Sequence, residues 1–255
     1  MWREICAVAV ALMCVCASDV SGQDSSGRSC PYVVFWNIEN YFDPFDDSLT
    51  LDDEFTPAGE KHWTWKKFLV KRNLIAKALL SMYDRYGDWP LAVGFAEVEN
   101  RMVLRQLLEH TPLAKLGYEM VHRESSDVRG IDVGLIYREQ YFTVGSVEAV
   151  PVLTGRDRPT RDILYIKGKL GPEGMPADTL HFFINHWPSK FGGEEYSSPF
   201  RQAASDTLRR VVEALRDSAS GELPPVIVMG DFNDTPDSEP VVSLQRRTGL
   251  HNPSL

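Results

Sequence analysis

Val226-Ile227-Val228-Met229-Gly230-Asp231-Phe232-Asn233-Asp234 is the stretch on which the fold turns. Four apolar residues in a row, mostly β-branched and closed by glycine, predict a short buried strand. Its polar ending is the second half of the signal, because α/β proteins bind ligands outside the carboxyl ends of their strands.

Three further runs repeat the pattern. Tyr32–Trp36 leads into Asn37-Ile38-Glu39-Asn40, Leu91–Ala96 into Glu97-Val98-Glu99-Asn100, and Leu180–Ile184 into Asn185-His186-Trp187-Pro188-Ser189. Side chains two apart on a strand share a face. Strict alternation would therefore pair Asn37 with Glu39, Glu97 with Glu99 and Asp231 with Asn233. Taken singly, each ending also reads as a hydrated strand terminus or a turn, with Asp234 or Thr235 capping a helix that opens at Pro236. Four endings of one kind favour a shared site. Buried carboxylates need a partner, and an oxygen-only donor set suits Mg²⁺, Mn²⁺ or Ca²⁺.

Ile131–Tyr137 and Ile163–Lys169 read as further strands. The stripe Phe68, Ile75, Leu79, Met82 predicts a helix over Trp65–Arg85. A second helix is expected to open at Ser198-Pro199, a cap followed by a first-turn proline, and to carry Ala204, Leu208, Val211, Val212 and Leu215 on one face. Met102–His110 and Pro236–Arg246 are shorter helical candidates. Strands and helices alternate without repeats or a Pro/Gly-rich boundary, which predicts one α/β domain with its sheets covered by helices. Asp43, Asp46, Asp47, Asp52, Asp53 and Glu54 lack the spacing and central glycine of a calcium loop and read as a solvated acidic loop.

The chain has 255 residues, 43% hydrophobic and 25% charged, which excludes disordered, collagen-like and coiled-coil classes. Its net charge of -9 offers no broad basic footprint, so a polyanionic substrate would need a local site helped by a cation. Arg3 precedes the uncharged run Ile5–Ala17, and small residues follow. Residues 1–22 are accordingly expected to be a signal peptide, with export to the periplasm or the exterior, a lipid anchor at Cys14 or Cys16 being the alternative. The run is too short for a membrane span, which takes ~20 apolar residues. A Ser/Gly/Asp linker over 23–31 and a folded domain over 32–255 follow. Only Cys30 would remain in the mature chain, so no internal disulfide is expected. No HExxH, CxxC, Gly-x-Ser-x-Gly or phosphate-loop lysine motif occurs, against zinc-peptidase, serine-hydrolase and nucleotide-triphosphatase readings.

In order along the chain, Phe35-Trp36-Asn37, Gly94-Phe95-Ala96-Glu97, Asn185-His186-Trp187-Pro188-Ser189 and Gly230-Asp231-Phe232-Asn233 resemble the endonuclease/exonuclease/phosphatase superfamily, the deoxyribonuclease I-like fold. Glu97-Val98-Glu99-Asn100-Arg101, Arg129-Gly130-Ile131-Asp132-Val133 and Lys190-Phe191-Gly192-Gly193 resemble a secreted bacterial branch of it. The likeness runs from about Val33 to Pro253. It implies a four-layer α/β (α+β) sandwich, two packed mixed sheets flanked by helices, with a Mg²⁺-dependent phosphoesterase site between strand ends. By the resemblance, Glu97 is the principal metal ligand with Asn37 beside it. Asp231 orients or activates water, Asn233 helps hold the phosphate, and His186 donates to a phosphate oxygen. Arg129, Arg161 and Lys190 are candidate phosphate contacts, each equally readable as a surface ion pair. The tryptophans at 63, 65, 89 and 187 read as packing.

One element departs from the family pattern. A late strand ending in Asp-His normally supplies the remaining general base, whereas only residues 234–255 follow Asn233 here, and His251 has neither an aspartate nor a strand before it. The expectation is a C-terminally truncated or degenerate member, and losing that base would slow hydrolysis by ~10²–10⁴-fold. The expected function is a secreted, Mg²⁺-dependent phosphodiesterase, first of all a nuclease. Sphingolipid head groups or small phosphate esters are alternative substrates, and a non-catalytic remnant or binding protein is the alternative class. A glycoside hydrolase on Glu97 and Glu99 is disfavoured, since that chemistry needs carboxylates flanking the bond.

Overall fold

The computed structural model describes residues 31–155, 160–171 and 178–252. The expected signal peptide, and the linker up to residue 30, lie outside the described residues. The elements in order are β1 (Val33–Tyr41), α1 (Trp65–Tyr86), β2 (Ala92–Val98), α2 (Arg101–Glu109), β3 (Tyr118–His122), β4 (Asp132–Arg138), β5 (Phe142–Val150), β6 (Ile163–Leu170), β7 (Asp178–His186), α3 (Glu194–Glu213), β8 (Val226–Asp231) and α4 (Glu239–Thr248).

They form two four-stranded sheets, in the orders β1-β2-β4-β3 and β5-β6-β7-β8. β1 and β2 run parallel, as do β7 and β8, and every other neighbour is antiparallel. Parallel neighbours need a long crossover. α1 supplies one and α3 the other, so the same strand–helix–strand unit occurs twice, once at the edge of each sheet.

Period-2 alternation sorts the side chains into layers. Val33, Phe35, Ala96 and Leu135 of the first sheet meet Phe182, Ile184, Ile227 and Met229 of the second. On the other face of the first sheet, Val34, Val93 and Phe95 pack with Phe68, Ile75 and Leu79 of α1 and with Leu104 and Leu107 of α2. On the outer face of the second, Phe183 and Val226 pack with Ala204, Leu208 and Val212 of α3 and Leu244 of α4. This is the four-layer sandwich the motifs imply.

The helix ends are set locally. Thr64 caps α1 by accepting from Lys67 N, and Gly87, at φ 75°, closes it. Asn100 caps α2, accepting from Val103 N at 3.1 Å, so this motif residue serves a helix end. α3 corrects the expected start at Ser198-Pro199: it opens at Glu194 and carries Pro199 inside. The proline removes the donor that would reach the Glu195 carbonyl, but Glu195 is exposed and water can serve it. Ser197 Oγ donating to the Gly193 carbonyl at 2.7 Å and an Arg201–Glu194 ion pair hold the first turn.

In the 43–54 segment Asp46, Asp47, Asp53 and Glu54 are exposed, as expected of a solvated loop, but two residues depart from that reading. Asp43 and Asp52 are buried. Asp43 accepts from Phe45 N at 2.8 Å and Asn100 Nδ2 at 2.9 Å, and Asp52 accepts from Asp47 N at 3.2 Å. The strands β3 and β5 were not legible as apolar runs. Among the described residues, no helix is long and apolar enough to cross a membrane.

Candidate active site

The two parallel units meet across the sandwich, β1 and β2 against β7 and β8. Side chains from the four polar endings, Asn37, Glu97, His186 and Asp231, come together there. Asn37 joins them: its Nδ2 donates to Glu97 Oε1 at 3.0 Å and to Asp231 Oδ2 at 2.9 Å, while its Oδ1 accepts from Glu39 N at 2.9 Å. His186 Nε2 stands 4.0 Å from Glu97 Oε1. Asn37 thus presents amide hydrogens to two carboxylates.

Glu97 reaches this position through a break in the strand. Asn37 lies opposite Ala96, but the next aligned pair is Tyr41 and Val98, so residues 38–40 stand against one residue. On the other side Ala96 pairs with Val133 and Val98 with Asp132, leaving Glu97 unpaired in a bulge. Glu39, Asn40 and Glu97 have φ of 53°, 58° and 63°, a left-handed conformation that side-chain-bearing residues rarely adopt and that clusters at functional sites. The turn is held from two sides. Asn40 N donates to Glu97 Oε2 at 2.8 Å, and Lys71 Nζ, from α1, donates to the Glu39 carbonyl.

The bulge overturns the alternation argument for this half. Glu39 is exposed. Glu99 turns away and is 5% exposed, with Oε2 accepting from Asp43 N at 2.6 Å. Burial pushes its carboxyl up to about 9; the Asp43 N–H opposes the rise, and the charges of Asp43, Asp52 and Asp47 add to it. Glu99 is therefore protonated at neutral pH and does not share the site with Glu97.

The second unit keeps its register to the end, with Asn185 opposite Gly230 and His186 opposite Asp231. A Cβ on Gly230 would stand 2.3 Å from the Asn185 carbonyl, so only glycine fits. Asn185 faces inward, donating to the carbonyls of Phe183 (3.1 Å) and Met229 (3.3 Å) and accepting from Trp187 Nε1 at 3.2 Å. Alternation then sends His186 toward the site. Asp231 and Asn233 are joined by a turn, Asn233 N donating to Asp231 Oδ1 at 2.9 Å with Asn233 at φ 48°, and Asn233 Nδ2 donates to the Trp187 carbonyl at 2.9 Å. Burial, with Arg161 and Arg129 nearby, holds the His186 imidazole well below its usual range, so it is neutral at neutral pH. Its buried Nδ1 has no hydrogen-bond partner.

The three expected phosphate-binding cations are all held in ion pairs, Arg161 buried and Arg129 and Lys190 half exposed. Arg161, with a side chain 4% exposed, donates through Nε to the His186 carbonyl at 3.1 Å, and through its two terminal nitrogens to the Trp187 carbonyl at 2.8 Å and Asp127 Oδ2 at 3.0 Å. Arg129 grips Asp127 in a fork, at 3.1 and 2.8 Å. Lys190 Nζ lies 3.1 Å from Glu194 and 3.2 Å from Asp234. Arg161 in particular anchors the backbone that carries His186. Trp187 is buried against Phe232, and Trp63 Nε1 donates to the Phe42 carbonyl, in keeping with packing roles. Two contributors went unread in the sequence. Lys71 sits on a polar helix face that looks solvated. Asp127, three residues before Gly130, belongs to a turn closed by Gly130 N donating to the Asp127 carbonyl at 3.0 Å.

Comparison with known families now bears on this geometry. The model of the Endonuclease/Exonuclease/phosphatase family matches residues 32–249. The chain belongs to this family. Its members are hydrolytic phosphoesterases, typically dependent on a divalent metal. Among solved structures, the catalytic domain of human Nocturnin with bound sulfate is 19% identical with a TM-score of 0.53, over 85% of this chain and 69% of that one. ANGEL2, described as a 2',3'-cyclic phosphatase and bound to adenosine-2',3'-vanadate, is 18% identical at 0.53, over 84% and 56%. A Bacteroides thetaiotaomicron mannosyl-6-phosphatase is 13% identical at 0.51, over 83% and 68%. The chain thus spans 56% to 69% of the lengths of these structures. At these identities the likeness shows the fold. No curated protein matches in sequence.

A family-type divalent cation suits the residues present. Glu97 and Asp231 approach one amide from two sheets, and the donors are oxygen, the preference of hard cations such as Mg²⁺. Glu97 would hold the ion, beside Asn37.

Proposed function

We propose that the protein is an exported, divalent-metal-dependent phosphodiesterase that uses Mg²⁺ and acts first of all on nucleic acid. The observation that carries this reading is the Asn37 amide joining Glu97 to Asp231, with His186 at 4.0 Å. A phosphodiester repels nucleophiles, so its oxygens must be neutralised while water is activated. When bound at Glu97, the cation supplies that neutralisation as a Lewis acid. Asp231, fixed by the Asn37 amide and by Asn233 N, accepts the proton of the attacking water. Neutral His186 donates one N–H to a phosphate oxygen from a backbone that Arg161 holds still. Asn233 has its second amide hydrogen left to donate. Export rests on the signal-type residues 1–22.

A small phosphate ester is the second reading. It is favoured by the ion pairs that occupy Arg129 and Lys190 and by a net charge of -9, which leave little cationic surface along which a polynucleotide could lie. The decisive experiment is hydrolysis of plasmid DNA, RNA, bis-p-nitrophenyl phosphate and p-nitrophenyl phosphate, with Mg²⁺ or chelator, by the wild-type chain and Glu97→Gln. Diester and nucleic-acid cleavage that needs Mg²⁺ and Glu97 supports the first reading, and cleavage of the monoester alone supports the second. Equal rates with and without Glu97 would sink both.

A further inference from the structure

A second cluster of metal-ligating groups shares no residue with the Glu97 centre. His122 ends β3, Asp132 begins β4, and Glu124 stands on the loop between them. The His122 and Asp132 side chains are each 2% exposed. His122 Nε2 lies 3.5 Å from Asp132 Oδ2, and His122 Nδ1 lies 3.6 Å from Glu124 Oε1. One ligand atom from each of the three residues falls within 4.8 Å of the others.

These spacings are long for hydrogen bonds, and His122 Nε2 is buried without a hydrogen-bond partner. The His122 Nε2–Asp132 Oδ2 spacing matches one edge of a coordination shell, since metal–nitrogen and metal–oxygen bonds of about 2.0–2.1 Å set tetrahedral ligands roughly 3.4 Å apart. Glu124, nearer the other ring nitrogen, would close on an ion at Nε2 from within 4.8 Å. The cluster is also crowded with carboxylates. The Glu124 carboxyl meets that of Asp132, and Asp162 lies close enough to Asp132 to repel it. Carboxylates crowded around a buried imidazole call for a cation among them. Asp132 is aimed as well: Ser125 N donates to its Oδ1 at 2.9 Å, leaving Oδ2 toward His122, the kind of outer hydrogen bond that orients a metal ligand. Beside Asp132, Arg123, Ser125 and Asp162 help line a cavity of about 10 Å³, room for about one water.

The geometry points to a divalent transition-metal site formed by His122, Glu124 and Asp132. The imidazole favours Zn²⁺ over the hard ions that suit an all-oxygen set, with Mn²⁺ next. Such an ion would staple the ends of β3 and β4 across residues 123–131, the loop that carries Asp127 and Arg129. Its role is structural, and it holds whether or not the phosphoesterase reading stands.

The test uses binding as its readout. The full chain carrying Glu97→Gln is stripped with chelator, dialysed, and titrated with Zn²⁺ and then Mn²⁺ by calorimetry, with bound metal counted by elemental analysis. One equivalent of Zn²⁺ that excess Mg²⁺ does not displace is expected. Adding Glu124→Gln, at an exposed side chain, should weaken it at least ~10-fold, the scale on which loss of even an outer-shell partner is felt. Adding His122→Asn should abolish it, with circular dichroism confirming folded protein. Absence of bound Zn²⁺ in Glu97→Gln, or Zn²⁺ affinity unchanged by Glu124→Gln, overturns the site. Neither result touches the hydrolysis assay.

Discussion

The two parallel units are built alike and deliver their functional groups in opposite ways. In β7–α3–β8, register is kept through His186 and Asp231, and ordinary alternation aims the side chains. In β1–α1–β2, register fails, and three residues in the left-handed region turn Glu97 toward the partner sheet. In the proposed reaction, the regular unit places the groups that orient water and donate hydrogen bonds. The strained one places the carboxylate best suited to a cation, which needs a position that alternation does not offer. Asn37, from the strained unit, bonds to both, so that unit also fixes the reacting carboxylate of the other.

The comparison predicts separable failures. Glu97→Gln and Asp231→Asn each remove one charge at nearly constant shape, and each should lower kcat/KM by at least ~10³-fold on a diester substrate. Only Glu97→Gln should also weaken Mg²⁺ binding, read by calorimetry, while Asp231→Asn should act on kcat. Equal losses of Mg²⁺ affinity in both variants would erase the division of labour between the units.

Next in size is Gly230→Ala. The regular unit depends on close approach of β7 and β8, and the new methyl would stand 2.3 Å from the Asn185 carbonyl. A destabilisation of about 2–4 kcal/mol is expected, seen in urea unfolding. A loss below about 1 kcal/mol would show that this register is more compliant than described.

How much of this could be read from the chain follows the same division. Apolar runs marked six of the eight strands because buried strands carry continuous hydrophobicity. β5 escaped notice because its sequence Phe142–Val150 includes Gly145, Ser146 and Glu148 and half its face meets solvent. Asp231 and His186 were legible as strand endings because their strand stays regular. The bulge at Glu97 was not, since no glycine announces its positive φ, and so Glu97 and Glu99 were paired although they diverge. The Arg161 site was read by charge alone. Its role in holding the His186 and Trp187 carbonyls depends on contacts 25 and 26 residues away.

The Asp127 clamp ties the β3–β4 loop to the regular unit through the Arg161 anchor and gives a pH test. Burial alone would raise its carboxyl, but hydrogen bonding to Arg129 and the charges of Arg161 and Arg129 bring it down to about 2. An unfolded aspartate titrates near 4. A depressed folded pKa adds stability that is fully present above about pH 4 and is lost as pH falls through about 2. The wild-type chain should lose up to about 2 kcal/mol from this group across that window. In Asp127→Asn the contribution is absent, so its stability at neutral pH is lower and its acid slope shallower. Parallel pH–stability curves for the two would remove Asp127 as the acid-sensitive link.

The smallest effect asks what the strained unit costs. Glu39 sits at φ 53°, its side chain is exposed, and the bonds that matter there are made by its backbone. Glu39→Gly should relieve roughly 1–2 kcal/mol of left-handed strain. Against that, glycine adds roughly 0.5–1 kcal/mol of unfolded-chain entropy. The balance favours the variant by about 0.5 kcal/mol, a rise in Tm of ~1–2 °C for a domain of this size. Both backbone bonds, from Glu39 N to Asn37 and from Lys71 to the Glu39 carbonyl, survive the change, so activity should stay within about twofold of wild type. A fall in Tm of several degrees would place the strain elsewhere and make the Glu39 side chain part of what holds Glu97 in position.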